Sequence, residues 1–346
     1  MSSDISQSYA LHRVESGQTV AVRSFDELTE TGRLRRLRRF AEEVVVSRYG
    51  IAKPRVRLLS KHSFNTVFRV DTDRERYVLR VGDATRIHSF GVEDVEAPWL
   101  NHLHFDTAIV APRPIASTSN SWRVDFETSY VTGQRACSMF TFLEGRELRK
   151  TERVDASSAY LAGALLARMH EDAATALPPI PITPQLRADR VVYFHEENLI
   201  GEYRSNYGGL FRDALDRVQA SIDALWQSPP HSPHLLHGDF GTHNLMIWRD
   251  ELRPIDFQDL QFGFDLQDLA ISLADLKRRT PELVDNFQEG YRSVRAWPEL
   301  SPALLATLVA GRSLNIMNLG LHLQREGIDW FLETHSNLIR DWMLRE

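Results

Sequence analysis

Apolar residues along the chain repeat with two periods. From Thr31, the residues Leu34, Leu37, Phe40, Ala41, Val44 and Val45 recur at the spacing of one helix face, and Gly50 offers a stop. Three short strands are expected next, at Arg55 to Leu59, Thr66 to Val70 and Tyr77 to Val81, with Asp71-Thr72-Asp73 as the turn between the last two. Trp122 to Val131 reads as one or two further strands. Beyond them the period becomes helical. Asp155 to His170 carries Leu161, Leu165, Leu166 and Met169 along one side, and Phe211 to Trp226 carries Ala214, Leu215, Val218, Ile222 and Leu225. Helices are also expected at Leu269 to Leu276, Val284 to Val294, Ala303 to Leu323 and Trp330 to Leu344. The prolines at Pro178-Pro179 and from Pro181 to Pro184 mark a loop in this helical region.

At 346 residues there is material for about two domains, and 42% hydrophobic with 25% charged residues is the balance of a globular protein. Five arginines, Arg33, Arg35, Arg36, Arg38 and Arg39, share the outer side of the first helix; with Glu42 and Glu43 nearby they read as a solvated face. A net charge of −6 argues against a general nucleic-acid binder. The single cysteine, Cys137, excludes an internal disulfide and suits a reducing compartment. Met1 to Ser6 does not open a basic-then-apolar leader, and no run is read as a membrane span, so a cytoplasmic protein acting away from membranes is expected.

The chemistry is concentrated between His237 and Ala270. His237-Gly238-Asp239-Phe240-Gly241-Thr242-His243-Asn244 is followed by Ile255-Asp256-Phe257 and Asp268-Leu269-Ala270. Leu235-Leu236 before the first motif and Leu245 to Trp248 after it look like short strands that hold the intervening loop. A carboxylate at Asp239 can hold a hydroxyl and take its proton, while Asn244 and Asp256 offer hard oxygen atoms suited to Mg²⁺. His-Gly-Asp by itself could equally be a turn with Gly238 at positive φ; the ordered set of polar residues is what points to a site. His237 reads as a structural hydrogen-bonding residue, and His243 either faces substrate or fills the loop. Asp259 and Asp265 are ordinary loop acids or supports for Asp256.

His-Gly-Asp-x-x-x-x-Asn followed by Ile-Asp-Phe resembles the aminoglycoside phosphotransferase and choline kinase superfamily, nearest to its homoserine-kinase-like and stress-response-kinase branches. The resemblance implies an α+β, bilobal, protein-kinase-like fold, with a small five-stranded antiparallel sheet and flanking helix in one lobe, a larger mainly helical second lobe, and ATP between them. It implies Asp239 as catalytic base, Asn244 and Asp256 as metal ligands, and His237 and Asp268 as supports of the catalytic loop. Ser60 to Asn65 would cover the nucleotide phosphates, with Ser63 and Asn65 as contacts although the stretch contains no glycine. Arg80 falls where the family has a phosphate-binding lysine, and Glu96 where the next helix supplies its acidic partner; Pro98 places that glutamate near the helix start. Met139, Phe140 and Phe142 lie in the last strand and hinge, where backbone groups would meet adenine.

These boundaries give a polar arm over residues 1–24, a first lobe over 25–138, a hinge over 139–145 and a helical lobe over 146–346. The expected activity is transfer of the γ-phosphoryl group of ATP, with Mg²⁺, to a hydroxyl of a small molecule. The acids near the site suggest a cationic acceptor such as an amine. Three rival readings use the same residues: a protein serine/threonine kinase, a nucleotide-binding regulator without catalysis, and a phosphoesterase with His237, Asp239 and His243 as metal ligands.

Overall fold

The computed structural model describes residues 23–61, 65–83, 92–177, 180, 182–195, 197–203, 209–323 and 328–345. The chain divides into two compact units, one formed by 1–86 with 114–142 and the other by 87–113 with 143–346. The chain leaves the first unit between 86 and 87, re-enters it between 113 and 114, and leaves it again between 142 and 143, within the stretch 139–145.

The first unit is one helix on one antiparallel sheet. Helix α1 (Glu30–Tyr49) begins where the Thr29 hydroxyl accepts the Gly32 N–H, carries Glu30 in its first turn and Arg48 in its last, and ends at Gly50. Its arginines behave as a solvated face: Arg38 and Arg39 pair one turn on with Glu42 and Glu43, and Arg36 donates to the carbonyls of Tyr130 and Arg23. The sheet runs through β1 (Arg55–Lys61), β2 (Asn65–Asp71), β3 (Arg76–Gly82), β4 (Pro114–Ile115), β5 (Val124–Thr128) and β6 (Val131–Thr141). Its order is β1-β2-β3-β6-β4, with β5 also paired to β6. In the turn after β2 the Thr72 hydroxyl accepts the N–H groups of Arg74 and Glu75. This sheet has six strands rather than five. The additional one, β4, is two residues long and pairs Pro114 and Ile115 with Phe140 and Met139. Alternate residues Phe68, Val70, Leu79, Val81, Cys137 and Met139 are buried with Phe40 and Val44 of α1.

The second unit is mainly helical. It contains α2 (Val92–Asp106), α3 (Ala156–Thr175), α4 (Leu210–Gln227), α5 (Asp265–Arg279), α6 (Val284–Arg292), α7 (Pro302–Leu323) and α8 (Ile328–Arg345). Pro98 lies in the interior of α2 and not in its first turn, so Glu96 is also within the helix body, where it is buried. Short strands complete the unit: β7 (Arg146–Glu147) pairs with β9 (Leu245–Trp248), which pairs with β10 (Glu251–Pro254), and β8 (His234–Leu236) pairs with β11 (Gln261–Gly263).

Helices α4, α7 and α8 share a core of Val218, Ile222, Leu314, Met317, Ile339 and Trp342. By length and composition α7 is apolar enough to cross a membrane, with a mean hydropathy of 1.3, contrary to the reading that no stretch reaches that mark. In the second unit it is a core helix, 67% of whose apolar window is buried, and its polar residues bond inward.

Candidate active site

The loop after β8 is shaped by one glycine and one buried acid. Gly238 has φ +78°, and a Cβ added there would come within 1.7 Å of the Asp259 carbonyl oxygen. The N–H groups of His237 and Gly238 both donate to the carboxylate of Asp268 on α5. The His237 ring is fixed as well: its Nε2 donates to the Ile255 carbonyl, and its Nδ1 accepts the Asp239 N–H. Further along, Thr242 donates through both its N–H and its hydroxyl to Asp275, and Ser272 donates to the Phe240 carbonyl. The backbone of this loop is held at four points from α5, and the His237 ring ties it to the neighbouring hairpin.

That backbone presents Asp239, half-buried. Its Oδ2 accepts the Asn244 side-chain amide at 2.9 Å and pairs with His243 Nε2 at 2.9 Å, while its Oδ1 accepts Arg312 Nη2 at 3.1 Å. Asn244 also donates to the Asp239 carbonyl at 3.0 Å. Its amide nitrogen being committed in this way, the amide oxygen is the atom that can meet a cation. Strands β9 and β10 form a hairpin in which Leu245 faces Pro254, and the Ile255 N–H donates to the Asn244 carbonyl. Asn244 and Asp256 thus stand at the open end of the same hairpin. Asp256 is exposed and has φ 63°, a left-handed conformation that aspartate tolerates better than most residues. Asp239 and Asn244 are hydrogen-bonded to each other, and Asp256 follows the residue whose N–H bonds the Asn244 carbonyl.

His243 feels two opposed effects. Burial alone would lower its pKa, but the hydrogen bond and charge of Asp239, joined by Asp275, hold it above the ordinary imidazole range. Arg312 is held well above the usual guanidinium value: burial opposes its charge, and Tyr193, Asp259 and Asp239 outweigh that opposition.

The neighbouring acids have partners inside the fold. Asp259 accepts Arg312 at 2.8 Å, Asp275 accepts Thr242 and Arg278, Asp265 pairs with His234 and Arg295, and Asp268 pairs with His170. Groups of side chains able to hold a metal occur, among the described residues, at His195, Glu197 and His322 and at His231, His234 and Asp265; neither includes His237, Asp239 or His243.

In the first unit Arg80 lies in β3 between Val67 and Ser138, and its guanidinium stands 4.9 Å from the Phe140 ring centroid. Asn65 starts β2 opposite Gly82. Phe142 lies beneath the guanidinium groups of Arg69 and Arg76, while the Met139 side chain is buried in the core with α1. Ser63 lies outside the described residues. Glu96 belongs to the second unit and Arg80 to the first.

A profile described as the phosphotransferase enzyme family (APH) matches residues 55–303. The chain belongs to that family. Its members' α+β, bilobal, protein-kinase-like fold is the one seen here, as three solved structures illustrate. An amicoumacin kinase in complex with AMP-PNP, Ca²⁺ and Ami has a TM-score of 0.69 at 17% identity, covering 91% of this chain and 96% of that one. A microcompartment-associated aminopropanol kinase has a TM-score of 0.63 at 18% identity, covering 87% and 95%. A spectinomycin phosphotransferase with ADP and spectinomycin has 0.53 at 12%, covering 88% and 93%. No curated protein matches in sequence.

The spacing of the family motifs singles out neither Arg312 nor Tyr193, and Asp259, read as a loop acid or a support for Asp256, is instead a partner of Arg312. A signal for Arg312 does exist: it is the only Asp, Glu, Lys or Arg in the 22 residues of α7. A charge in so apolar a helix has to be paired if the helix is buried.

Proposed function

We propose that this phosphotransferase moves the γ-phosphoryl group of ATP to a hydroxyl of a small molecule, with Mg²⁺ as cofactor, in the cytoplasm. The observation that carries the reading is the triple of Asp239, Asn244 and Asp256. The first two are hydrogen-bonded to each other, and the second and third share the open end of the β9–β10 hairpin.

Asp239 orients the acceptor hydroxyl and receives its proton as the hydroxyl oxygen attacks the γ-phosphorus; the bond to ADP breaks, leaving a phosphate ester and ADP. The donor set fits magnesium, since the Asn244 amide oxygen and the Asp256 carboxylate are hard oxygen ligands and the Asn244 nitrogen is already engaged. When bound, the metal neutralises charge on the phosphates. His237 and Asp268 keep the loop backbone in place for Asp239. In the first unit Arg80, Ser63 and Asn65 are the proposed phosphate contacts, and Met139, Phe140 and Phe142 the proposed contacts of the adenine; Glu96, in the second unit, takes the position of the acidic residue in the family pattern.

A small-molecule acceptor is supported by the similar structures, which are kinases of amicoumacin, aminopropanol and spectinomycin. An amine on the acceptor is suggested by the aminopropanol kinase and not by the local acids, which have cationic or hydrogen-bonding partners of their own. The phosphoesterase alternative is weakened by His237, whose two ring nitrogens are both engaged with backbone groups.

The test is a panel of alcohols and amino alcohols, including aminopropanols, screened for stimulated ATP consumption beside the Asp239→Asn variant. The variant is expected to bind nucleotide nearly as the wild type does and to lose turnover by roughly two orders of magnitude or more. Undiminished turnover in Asp239→Asn would remove the assignment.

A further inference from the structure

Arg312 does more than neutralise the acids beside it. Its Nη2 donates to Asp239 Oδ1 at 3.1 Å and to Asp259 Oδ2 at 2.8 Å, its Nη1 donates to the Tyr193 hydroxyl at 2.6 Å, and its Cζ stands 4.9 Å from the Phe194 ring centroid. Next along the same helix, Asn315 accepts the N–H groups of Tyr193 and Phe194 at 3.0 and 3.2 Å. Asn318 accepts those of Leu199 and Ile200 at 2.7 and 3.1 Å. At three- and six-residue steps from Arg312 these asparagines lie along one side of α7. They fasten Tyr193–Phe194 and Leu199–Ile200 to α7. Arg312 both meets the first of these pairs and reaches Asp239.

The distribution of donors on Asp239 gives Arg312 a specific task. A carboxylate offers about four lone-pair directions, two on each oxygen. Both of those on Oδ2 are used, by His243 and Asn244. Oδ1 meets Arg312 alone among the described residues. Oδ1 is therefore the oxygen with a direction left for an acceptor O–H, and Arg312 is the group that sets where that direction points.

We propose that Arg312 is a positioning residue for the phosphotransferase reaction: it orients Oδ1 of Asp239 toward the acceptor hydroxyl and references that orientation to the Tyr193–Phe194 segment. This role rests on the phosphotransferase reading. It acts through Asp239: Nη2 meets both carboxylates while Nη1 holds the Tyr193 hydroxyl, and the planar guanidinium fixes these two nitrogens relative to each other as a single ammonium nitrogen cannot.

The experiment uses the full chain with Mg-ATP. ATP turnover is measured without acceptor and with the alcohol panel, and AMP-PNP binding is measured by calorimetry. Arg312→Gln should lower kcat by roughly 30-fold or more, the scale on which a misplaced reacting group loses rate, while KM for ATP and the AMP-PNP Kd stay within about twofold. Arg312→Lys should recover part of the lost kcat. In the Asp239→Asn background, Arg312→Gln should cost almost nothing further, because the group it positions is gone. If Arg312→Gln does not fold, Arg312→Lys carries the test through the same split between kcat and KM. Unchanged turnover in the variant, or equal fractional losses with and without the Asp239 carboxylate, overturns the positioning role alone. A wild type with no ATP turnover under either condition overturns the phosphotransferase reading, and this role with it.

Discussion

The Asp268 carboxylate accepts the His237 N–H at 2.8 Å and the Gly238 N–H at 2.7 Å. An acid on α5 thereby fixes the two residues that precede Asp239. Its third partner, His170 Nε2 at 3.2 Å, is itself anchored by the Tyr291 hydroxyl at 2.9 Å. Burial alone would raise the pKa of Asp268. The hydrogen bond and charge of His170, with the Gly238 N–H, outweigh burial and hold the carboxyl below its ordinary value.

Asp268→Asn is expected to destabilise the fold by ~3–5 kcal/mol at pH 7, because it breaks a buried charged network and turns an amide N–H₂ toward a backbone donor. Urea unfolding measures the loss. Its pH dependence has a definite sign. A carboxyl with a depressed folded pKa contributes fully above its unfolded value near 3.9 and less as pH falls through its folded value. The gap between wild type and variant should therefore narrow on acidification. A gap that widens there would mean that Asp268 is not held as the anion.

Gly238→Ala should be more damaging than a left-handed backbone alone explains. At φ +78° a side chain costs ~1–2 kcal/mol. The new Cβ would also stand 1.7 Å from the Asp259 carbonyl oxygen, a backbone atom that cannot swing away as a side chain would. Either the loop carrying Asp239 or the turn carrying Asp259 must shift. Loss of turnover greater than the loss of stability, seen by assaying well below the melting temperature, is the expected outcome. A variant with wild-type kcat would show that this turn tolerates displacement.

Much of this architecture was legible in the sequence because it is local. Helix α1 keeps one apolar face, β2 and β3 alternate, and His237 to Asn244 is a spaced set within one loop, so each could be read from neighbours in the chain. What escaped depends on distant partners. Arg312 meets Asp239, Asp259 and Tyr193, which lie 73, 53 and 119 residues away, and no window along the chain contains that arrangement. β4 is too short to show a period; its two residues are extended because β6 pairs with them. The placement of 87–113 with the second unit is also tertiary: Trp99 of α2 packs edge-on against Phe257 at 5.4 Å, beyond reach of a pattern argument. The missing N–H of Pro98 favours a first turn, a local preference that the surrounding helix overrides.

Helices α3 and α6 meet through glycine on both sides. A Cβ at Gly163 would lie 1.9 Å from the Phe287 carbonyl oxygen, and one at Gly290 1.9 Å from that of Tyr160. Alanine at either position must push the helices apart, at the ~1–3 kcal/mol typical of overpacking a well-filled core. The two contacts belong to one crossing. The double variant should lose less than the sum of the single losses, since helices already separated by one methyl accommodate the second more readily. Thermal unfolding of the four proteins measures this directly, and strict additivity would show that the two contacts yield independently.

His335 on α8 should make stability fall on mild acidification. Its ring packs against Phe331 at 4.6 Å, and its Nδ1 is buried without a hydrogen-bond partner among the described residues. Burial, with a smaller contribution from the positive charge of Arg278, lowers its pKa to about 4. In the unfolded chain an imidazole titrates near 6.5, so between those values the unfolded state binds the proton and the folded state does not. The contribution of the neutral ring is fully present above pH ~6.5 and is lost as pH falls toward 4. His335→Phe removes the titration while keeping an aromatic ring in the same space. Urea midpoints measured at pH 8, 6, 5 and 4.5 should fall more steeply for the wild type than for this variant. The carboxylates that also titrate near the bottom of this range are common to both proteins and cancel in the difference. Parallel curves would mean that the ring is protonated without penalty in the folded protein.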